Sequence, residues 1–579
     1  MKRSLIWLLL TLLAPAVLAA PSAVPTFESI GLYWSPPGAG EGHAAKVAFR
    51  EVGTGKWRPG LDLWFDARDA EYRGSLVELR PGARYEIRLT LDSGFAETVH
   101  AATWSENFRI KRTVRIAPGT TRLVIEPSDS GDEQGYVLFT AAPGRNLIDQ
   151  SGVPGNDPAD SCVVVKQGVH HVIIRGLVLG NCKRYGVFIE RQFSPVLDAQ
   201  THDIVIEDNE IFGWGTFEQN KPGSGLADND GAIHCNYYRE TEDGKRPDRV
   251  IIQRNTLRDP RYGSNPWHSG TPPRKHPMGP QGVLFTSCGR NHVIRDNEIY
   301  STNGNHFMDG IGGGGNFSFA GFPWADSDIN GNRISQVYDD GIEAEGANRN
   351  VRIWGNYFDR VFVAIANAAT AVGPLYVWRN VSHFMAGMYQ PDGDPDLEQR
   401  GPFIKAGSRH PAAVGGRAYY FHNTVLQPPG RRYSAGAGSG ITNTGGALYN
   451  FVSRNNIWHI HKERLINGQP KFYSIAANAD QGLIDADFDV HNGQLQNAGA
   501  KAQRHGRGPG GRGTPVYASS GTSYPDLAAR PADFSLHRTS PGYGAAERLP
   551  NFNDRYARPD AGAHQSGTGP MQFGVNAYR

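Results

Sequence analysis

The chain has 579 residues, of which 39% are hydrophobic and 20% charged, and its 59 Lys+Arg nearly balance 57 Asp+Glu. These proportions exclude a disordered chain and a membrane bundle, and a formal net charge of +2 gives no global electrostatic case for nucleic acid. The length accommodates two or more domains, and 71 glycines favour many tight turns.

Residues 1–20 have the physics of a secretory signal: Lys2 and Arg3, an apolar centre over 5–13, and a small-residue exit at Val17-Leu18-Ala19-Ala20. No later apolar run is long enough to span a bilayer. The expectation is a secreted or periplasmic protein with no membrane span, monomeric. Residues 21–105 read as a small β-sandwich, with short runs such as K-V-A-F-R (46–50) and L-D-L-W-F (61–65) between Gly and Pro turns. Within it, Leu79 and Pro81-Gly82 precede Tyr85, which opens an alternating strand. This resembles the tyrosine corner of a fibronectin type III module, with Trp34 as its core tryptophan. The alternative for Trp34 or Trp57 is carbohydrate binding.

From about residue 106 the texture changes to short strands that align on asparagine: Asn209, Asn255, Asn297, Asn332, Asn356, Asn380, Asn423 and Asn456. A period in the twenties, with strands only, indicates a parallel β-solenoid over 106–579. An inward Asn at each corner can bond its own coil and the Asn above and below, pairing backbone groups otherwise buried alone. These Asn residues are structural. The four cysteines, Cys162, Cys182, Cys235 and Cys288, fit no zinc pattern. Cys162 and Cys182 lie about one coil apart and can pair in an oxidising compartment; the alternative is small buried hydrophobes. The basic, Gly-rich run at 501–513 reads as a flexible surface loop.

This texture resembles the right-handed parallel β-helix proteins of the pectate-lyase-like superfamily. The end of the chain adds to the resemblance, with Leu536, Ser540-Pro541 and Pro559-Asp560-Ala561-Gly562-Ala563 similar to the closing segment of many secreted β-helix proteins. The fold expected is all-β: a right-handed single-stranded parallel β-helix preceded by a small β-sandwich.

Two phrases stand out, M-D-G-I-G-G-G-G at 308–315 and Y-D-D-G-I-E-A-E-G at 338–346. Aligned on the glycine, with Gly186, Gly231 and Gly282 on earlier coils, alternation puts Val187, Ile189, Val283, Phe285, Ile342 and Ala344 inside. Glu343 and Glu345 then face outward beside bare Gly312 and Gly314, and Asp230, Gln281, Asp309 and Asp340 form a row. Asp309 and Asp340 would have backbones about 4.8 Å apart, and Glu343 and Glu345 roughly 6.5–7 Å. Acids this close, with Asp339 among them, cannot all ionise freely, so at least one carboxyl should have a raised pKa.

A raised acid beside an ionised one suits glycoside hydrolysis, with Asp309, Asp340, Glu343 and Glu345 as catalytic candidates and no cofactor. Asp339-Asp340-Gly341 is similar to the acidic pair of the polygalacturonase-like branch of the superfamily. The glycines read as a floor for a sugar ring. His306, Trp267, Trp324, Arg290, Lys405 and Asp339 are candidate substrate contacts, with further inserted side chains at His268, Arg274, Lys275, His276 and Phe322, and at Asp392, Asp394 and Asp396. His234 falls on an inward position. The alternative is a polysaccharide lyase in which Asp309, Asp340 and Glu343 hold Ca2+ and Lys405, Arg290 or Lys275 is the base, as the resemblance implies. A third class is a non-catalytic polysaccharide binder.

Overall fold

The structure is a computed structural model. It describes residues 19–577 except 144–146, 154–160, 191–198, 217–229, 237–245, 268–275, 287, 369, 384–400, 408–414, 428–438, 444–449, 461–463, 467–468, 472, 478–483, 497, 500, 510, 524 and 526–531. The signal-like residues 1–18 thus lie outside the described residues, as do His268, Arg274, Lys275, Asp392, Asp394 and Asp396. Among the described residues no helix is long and apolar enough to cross a membrane.

The N-terminal unit packs two four-stranded antiparallel sheets face to face. One runs Ala19–Pro25, Ile30–Ser35, Glu71–Leu76, Trp64–Asp66; the other Arg58–Pro59, Ala45–Glu51, Arg84–Leu91, Ala96–Ala102. Alternation drives the fold: Tyr85, Ile87, Leu89 and Leu91 bury every second position of their strand against Trp34, Phe49 and Tyr72. The Tyr85 hydroxyl accepts the Arg80 N–H at 2.8 Å, closing the turn ahead of the strand. Trp34 is buried and its indole N–H donates to Glu97, whereas Trp57 is exposed beneath the Arg50 guanidinium.

The remainder is a parallel β-helix. Its described strands form a 12-stranded sheet and a curled 21-stranded sheet, both built of parallel neighbours. One coil shows the path: Val293–Arg295 in the first sheet, the corner at Asn297, then Glu298–Tyr300 and Ile311–Gly313 in the second. One coil later the last two strands fuse into one, Arg333–Glu343, and on the coil after that into Tyr357–Asn367. Inside, Val, Ile and Phe from successive coils stack in one continuous core.

The eight asparagines form the expected ladder. Each donates its backbone N–H and Nδ2 to Oδ1 of the next, as in Asn332 to Asn356 at 3.0 and 2.9 Å. The other Nδ2 hydrogen meets a carbonyl of the preceding coil, Ile329 O for Asn356 at 2.9 Å. The ladder ends on Asp489, whose Oδ1 takes both donors of Asn456. Replacing Asn356 with Ala is expected to lower stability by about 1–3 kcal/mol for each buried group left unpaired, beginning with the Asn332 N–H. Urea midpoints for the variant and the parent chain check this.

The sandwich docks on the outside of the 12-stranded sheet through buried polar contacts. Tyr33 donates to Asp326 at 2.8 Å, and Asn551 pairs with both backbone groups of Val77 at 2.8 and 2.7 Å. In the C-terminal segment, Leu536, Ala561, Ala563 and Phe573 run back along the flank of the coil stack, packing on Val490, Ile457, Val381 and Tyr357. The 501–513 run is likewise pinned, with Arg507 bonded to Asp489 O and His491.

Two disulfides are present, Cys162–Cys182 and Cys235–Cys288, with Cα atoms 5.3 and 6.2 Å apart. They fit an oxidising compartment.

The register corrects one coil. Val187 pairs with Ile233 and Ile233 with Val283, so Ala232, not Gly231, is level with Gly186 and Gly282. A one-residue slip flips every side chain. His234 therefore faces outward, level with Phe188 and Leu284, packed edge-on against Tyr185. Asp230 drops out of the acidic row and instead binds Arg184, Thr216 and Tyr262.

Candidate active site

The two Asp-Gly-Ile phrases are neighbours, as Ile311 pairs with Ile342. The inward row runs Val283, Ile311, Ile342, Ile365, Ile404, Ile441. One residue further along each strand is the outward row Leu284, Gly312, Glu343, Ala366, Lys405, Thr442. Lys405 is thus two coils beyond Glu343, with only the Ala366 methyl between them. Glycine is required where the chain turns onto the strand, because a Cβ at Gly341 would lie 2.7 Å from the Phe358 ring.

Ahead of that turn, Asp309, Asp339 and Asp340 converge. One carboxylate oxygen from each lies within 4.8 Å of the other two, and all three residues are buried. Asp309 Oδ1 accepts the Asp340 N–H at 3.0 Å. Asp340 Oδ2 accepts from Lys405 Nζ at 2.6 Å, and Glu345 Oε1 lies 3.0 Å from the same ammonium. Asp339 is clamped by the Trp267 indole N–H and by His276 Nε2, each at 3.0 Å. Asn316 Nδ2 bridges Glu343 and Glu345 at 2.8 and 3.1 Å. Among the described residues, two buried oxygens, Asp309 Oδ2 and Asp340 Oδ1, have no hydrogen-bond donor.

The electrostatics follow from this crowding. Burial, then the charges of Glu343, Asp339 and Asp340, holds the Asp309 carboxyl well above the usual range. Asp340 is raised as well, by burial and then by neighbouring acids, against the pull of Lys405. Burial and Glu345 lift Glu343 to about 7. Burial also pushes Asp339 up, but the His276 bond, the Lys405 charge and the Trp267 bond outweigh it and leave Asp339 low. Burial opposes the charge on His276, yet the Asp339 bond raises it to about 9. Lys405 is held well above its ordinary value: burial opposes its charge, and Asp340 and Glu345 overcome that.

A stability prediction follows. Glu343 binds its proton more tightly folded than unfolded, so its contribution is present below 4.5 and is lost as pH rises through about 7. Metal-free protein is therefore expected to lose stability relative to Glu343→Gln between those values. Melting curves of the two across that window check the sign.

The structure brings together Asp309, Asp339, Asp340, Glu343, Glu345, Lys405 and Trp267 from the residues singled out in the sequence. It corrects others. Gly312 and Gly314 do not leave an open floor. A Cβ on Gly312 would sit 2.7 Å from Gln281 Oε1 and 3.2 Å from Glu343 Oε2, and one on Gly314 would sit 3.2 Å from Thr286, so the space is already filled by neighbours. Trp324 packs with Ala347, Ala371 and Val372 under the Arg246 guanidinium, and Arg290 turns to Asp248; neither contacts the acids. Phe322 fills the core against Phe285. His306 stacks on Tyr338 with ring centroids 4.2 Å apart and bonds its own turn at Gly304. His276, singled out as an inserted side chain, clamps Asp339, while Asn316 was missed because it lies in a loop where no strand period fixes position.

No protein-family model matches the chain, and no curated protein sequence matches it. Among solved structures, pectate lyase Pel9A is similar with a TM-score of 0.36 and 13% identity, over 80% of this chain and 91% of that one. The fold assignment stands on the strand registers.

Proposed function

We propose that the protein is a Ca2+-dependent polysaccharide lyase that cleaves a uronate-containing chain, with Lys405 as the base. The observation that carries this reading is an ammonium buried against Asp340 and Glu345, beside three aspartates with two donorless buried oxygens. An all-oxygen set of this kind fits a hard cation such as Ca2+. Asp309, Asp339 and Asp340 would hold it, with Glu343 adjacent. Bound there, Ca2+ supplies positive charge that acidifies the proton next to a uronate carboxylate and offsets the acids that Lys405 now balances.

The chain's own residues supply the rest. Lys405 Nζ, once neutral, takes the proton α to the carboxylate. The C–H electron pair forms the new C=C bond as the glycosidic C–O bond on the next carbon breaks, and the leaving oxygen acquires a proton. Trp267 and His276 fix Asp339. Asn316 fixes Glu343 and Glu345.

Glycoside hydrolysis is the second reading, favoured by Glu343, whose pKa of about 7 suits a general acid. Against it, Lys405 occupies Asp340 and Glu345, two of the carboxylates a hydrolase would need free. The trio within 4.8 Å is tighter than the roughly 6.5–9.5 Å of an inverting pair and nearer the roughly 5–5.5 Å of a retaining one, so the spacing counts against inversion alone. The sandwich is read as a fibronectin type III-type module and the protein as secreted, the latter on the two disulfides.

The test is a screen of neutral and acidic polysaccharides with and without a chelator, reading ultraviolet absorbance and reducing ends together. The lyase reading expects chelator-sensitive absorbance on acidic polymers alone. New reducing ends without absorbance would support the hydrolase.

A further inference from the structure

A second cluster of metal-binding side chains lies far from the acids, on the outer face of the 12-stranded sheet near its N-terminal end. His170 pairs in register with His202 on the next coil. The residue after each, His171 and Asp203, has a left-handed backbone, with φ of 52° and 53°. The regular ladder resumes only at Val172 and Ile204. The following coils break step at the same point, at Arg249, Asn291, Asp326 and Asn350, so the break belongs to this corner of the fold, and it re-aims the side chains there.

The result is a compact group. The His170 and His202 rings stack in parallel, 5.0 Å apart, and His171 stands edge-on to both. The Nδ1 atoms of His170 and His171 are 3.1 Å apart. This contact is a hydrogen bond between the two rings, so His170 orients His171 and is not counted as a ligand. One ligand atom from each of His171, His202 and Asp203 lies within 4.8 Å of the others. Asp203 is itself oriented: Oδ1 is held by Tyr136 and Arg249, each at 3.1 Å, while Oδ2 turns to His202 Nδ1 at 2.8 Å. Partners that fix a carboxylate in this way are a common feature of metal sites.

We propose that His171, His202 and Asp203 form a binding site for a first-row transition ion, Zn2+ in the first instance, that staples two coils near the start of the β-helix, with His170 packed beside it. Two imidazoles and a carboxylate suit Zn2+, Cu2+ or Ni2+, whereas the all-carboxylate cluster suits Ca2+. The competing arrangement is an ion-pair network of His202, Asp203 and Arg249 that needs no metal.

The test uses the full chain without a histidine tag, stripped with chelator and then held in excess Ca2+ to saturate the aspartate cluster. Zn2+ is titrated by calorimetry, and melting is followed with and without Zn2+. The expected result is one equivalent of Zn2+ bound with a rise in melting temperature, retained in Asp309→Asn. In the His171→Ala/His202→Ala double variant, binding should weaken at least ~100-fold. Circular dichroism of that variant in the absence of Zn2+ reports whether it still folds, and His202→Gln is the milder substitute if it does not. Absence of Zn2+ binding by the parent chain, or binding unchanged in the folded histidine variant, would overturn the proposal.

Discussion

Lys405→Arg is expected to fold normally in Ca2+ and to lose about 10²–10⁴-fold in turnover, the range a positioned general base contributes. Arginine keeps the positive charge that Asp340 and Glu345 face, so the buried acids remain balanced. It holds its proton more tightly than lysine does and places it on a differently shaped head, so at this position it is a much poorer base. Lys405→Ala differs in a way that separates charge from chemistry. It removes the base and also leaves the Asp340 and Glu345 carboxylates buried without their cation, so it should be both inactive and less stable. The check is the initial rate of ultraviolet absorbance on an acidic polymer, with melting curves for both variants. A Lys405→Arg protein with near-parental turnover would place the base elsewhere.

The second large effect concerns the aspartates. Stripping divalent ions should abolish turnover, and Ca2+ should restore it. Because Ca2+ binds only the folded cluster, it should add about 2.7 kcal/mol of stability at a hundred times its dissociation constant. Asp309→Asn makes the sign informative. In metal-free protein the variant removes a carboxyl that burial and neighbouring acids keep from ionising, a cost the folded state carries above the ordinary carboxylate range, so its melting temperature near neutral pH should rise above the parent's. In saturating Ca2+ the order should reverse, because a ligand oxygen has lost its charge. Affinity should fall by more than the ~10–100-fold typical of losing an outer partner. Calorimetric Ca2+ titration and paired melting curves measure both halves. Parallel curves with no crossover would mean that the cluster holds no cation.

Much of this architecture is legible in the chain, for identifiable reasons. The asparagines repeat because each must pair buried backbone at a corner, and that requirement fixes the residue type, while loop inserts stretch the spacing from 24 to 46 residues. The acids could be aligned because Asp309-Gly310-Ile311 and Asp340-Gly341-Ile342 repeat the same turn. Register failed at Gly231-Ala232, where two small residues in a row each satisfy the turn and only packing selects Ala232. Asp489 ends the ladder without being an asparagine, so the repeat did not reveal it. Lys405 was visible as a candidate base, but its level beside Glu343 depends on the pairing of Ala366 with Lys405 across a long insert. Trp324 and Phe322 look like cleft aromatics in an insert; packing takes one to a corner and the other into the core.

The most direct test of the central claim is the mass of the products from an acidic polysaccharide digested in Ca2+. Elimination by Lys405 predicts new non-reducing ends lighter by one water than intact sugar, absent from the Lys405→Arg digest. Products of full hydrolysed mass, formed equally well after chelation, would contradict it.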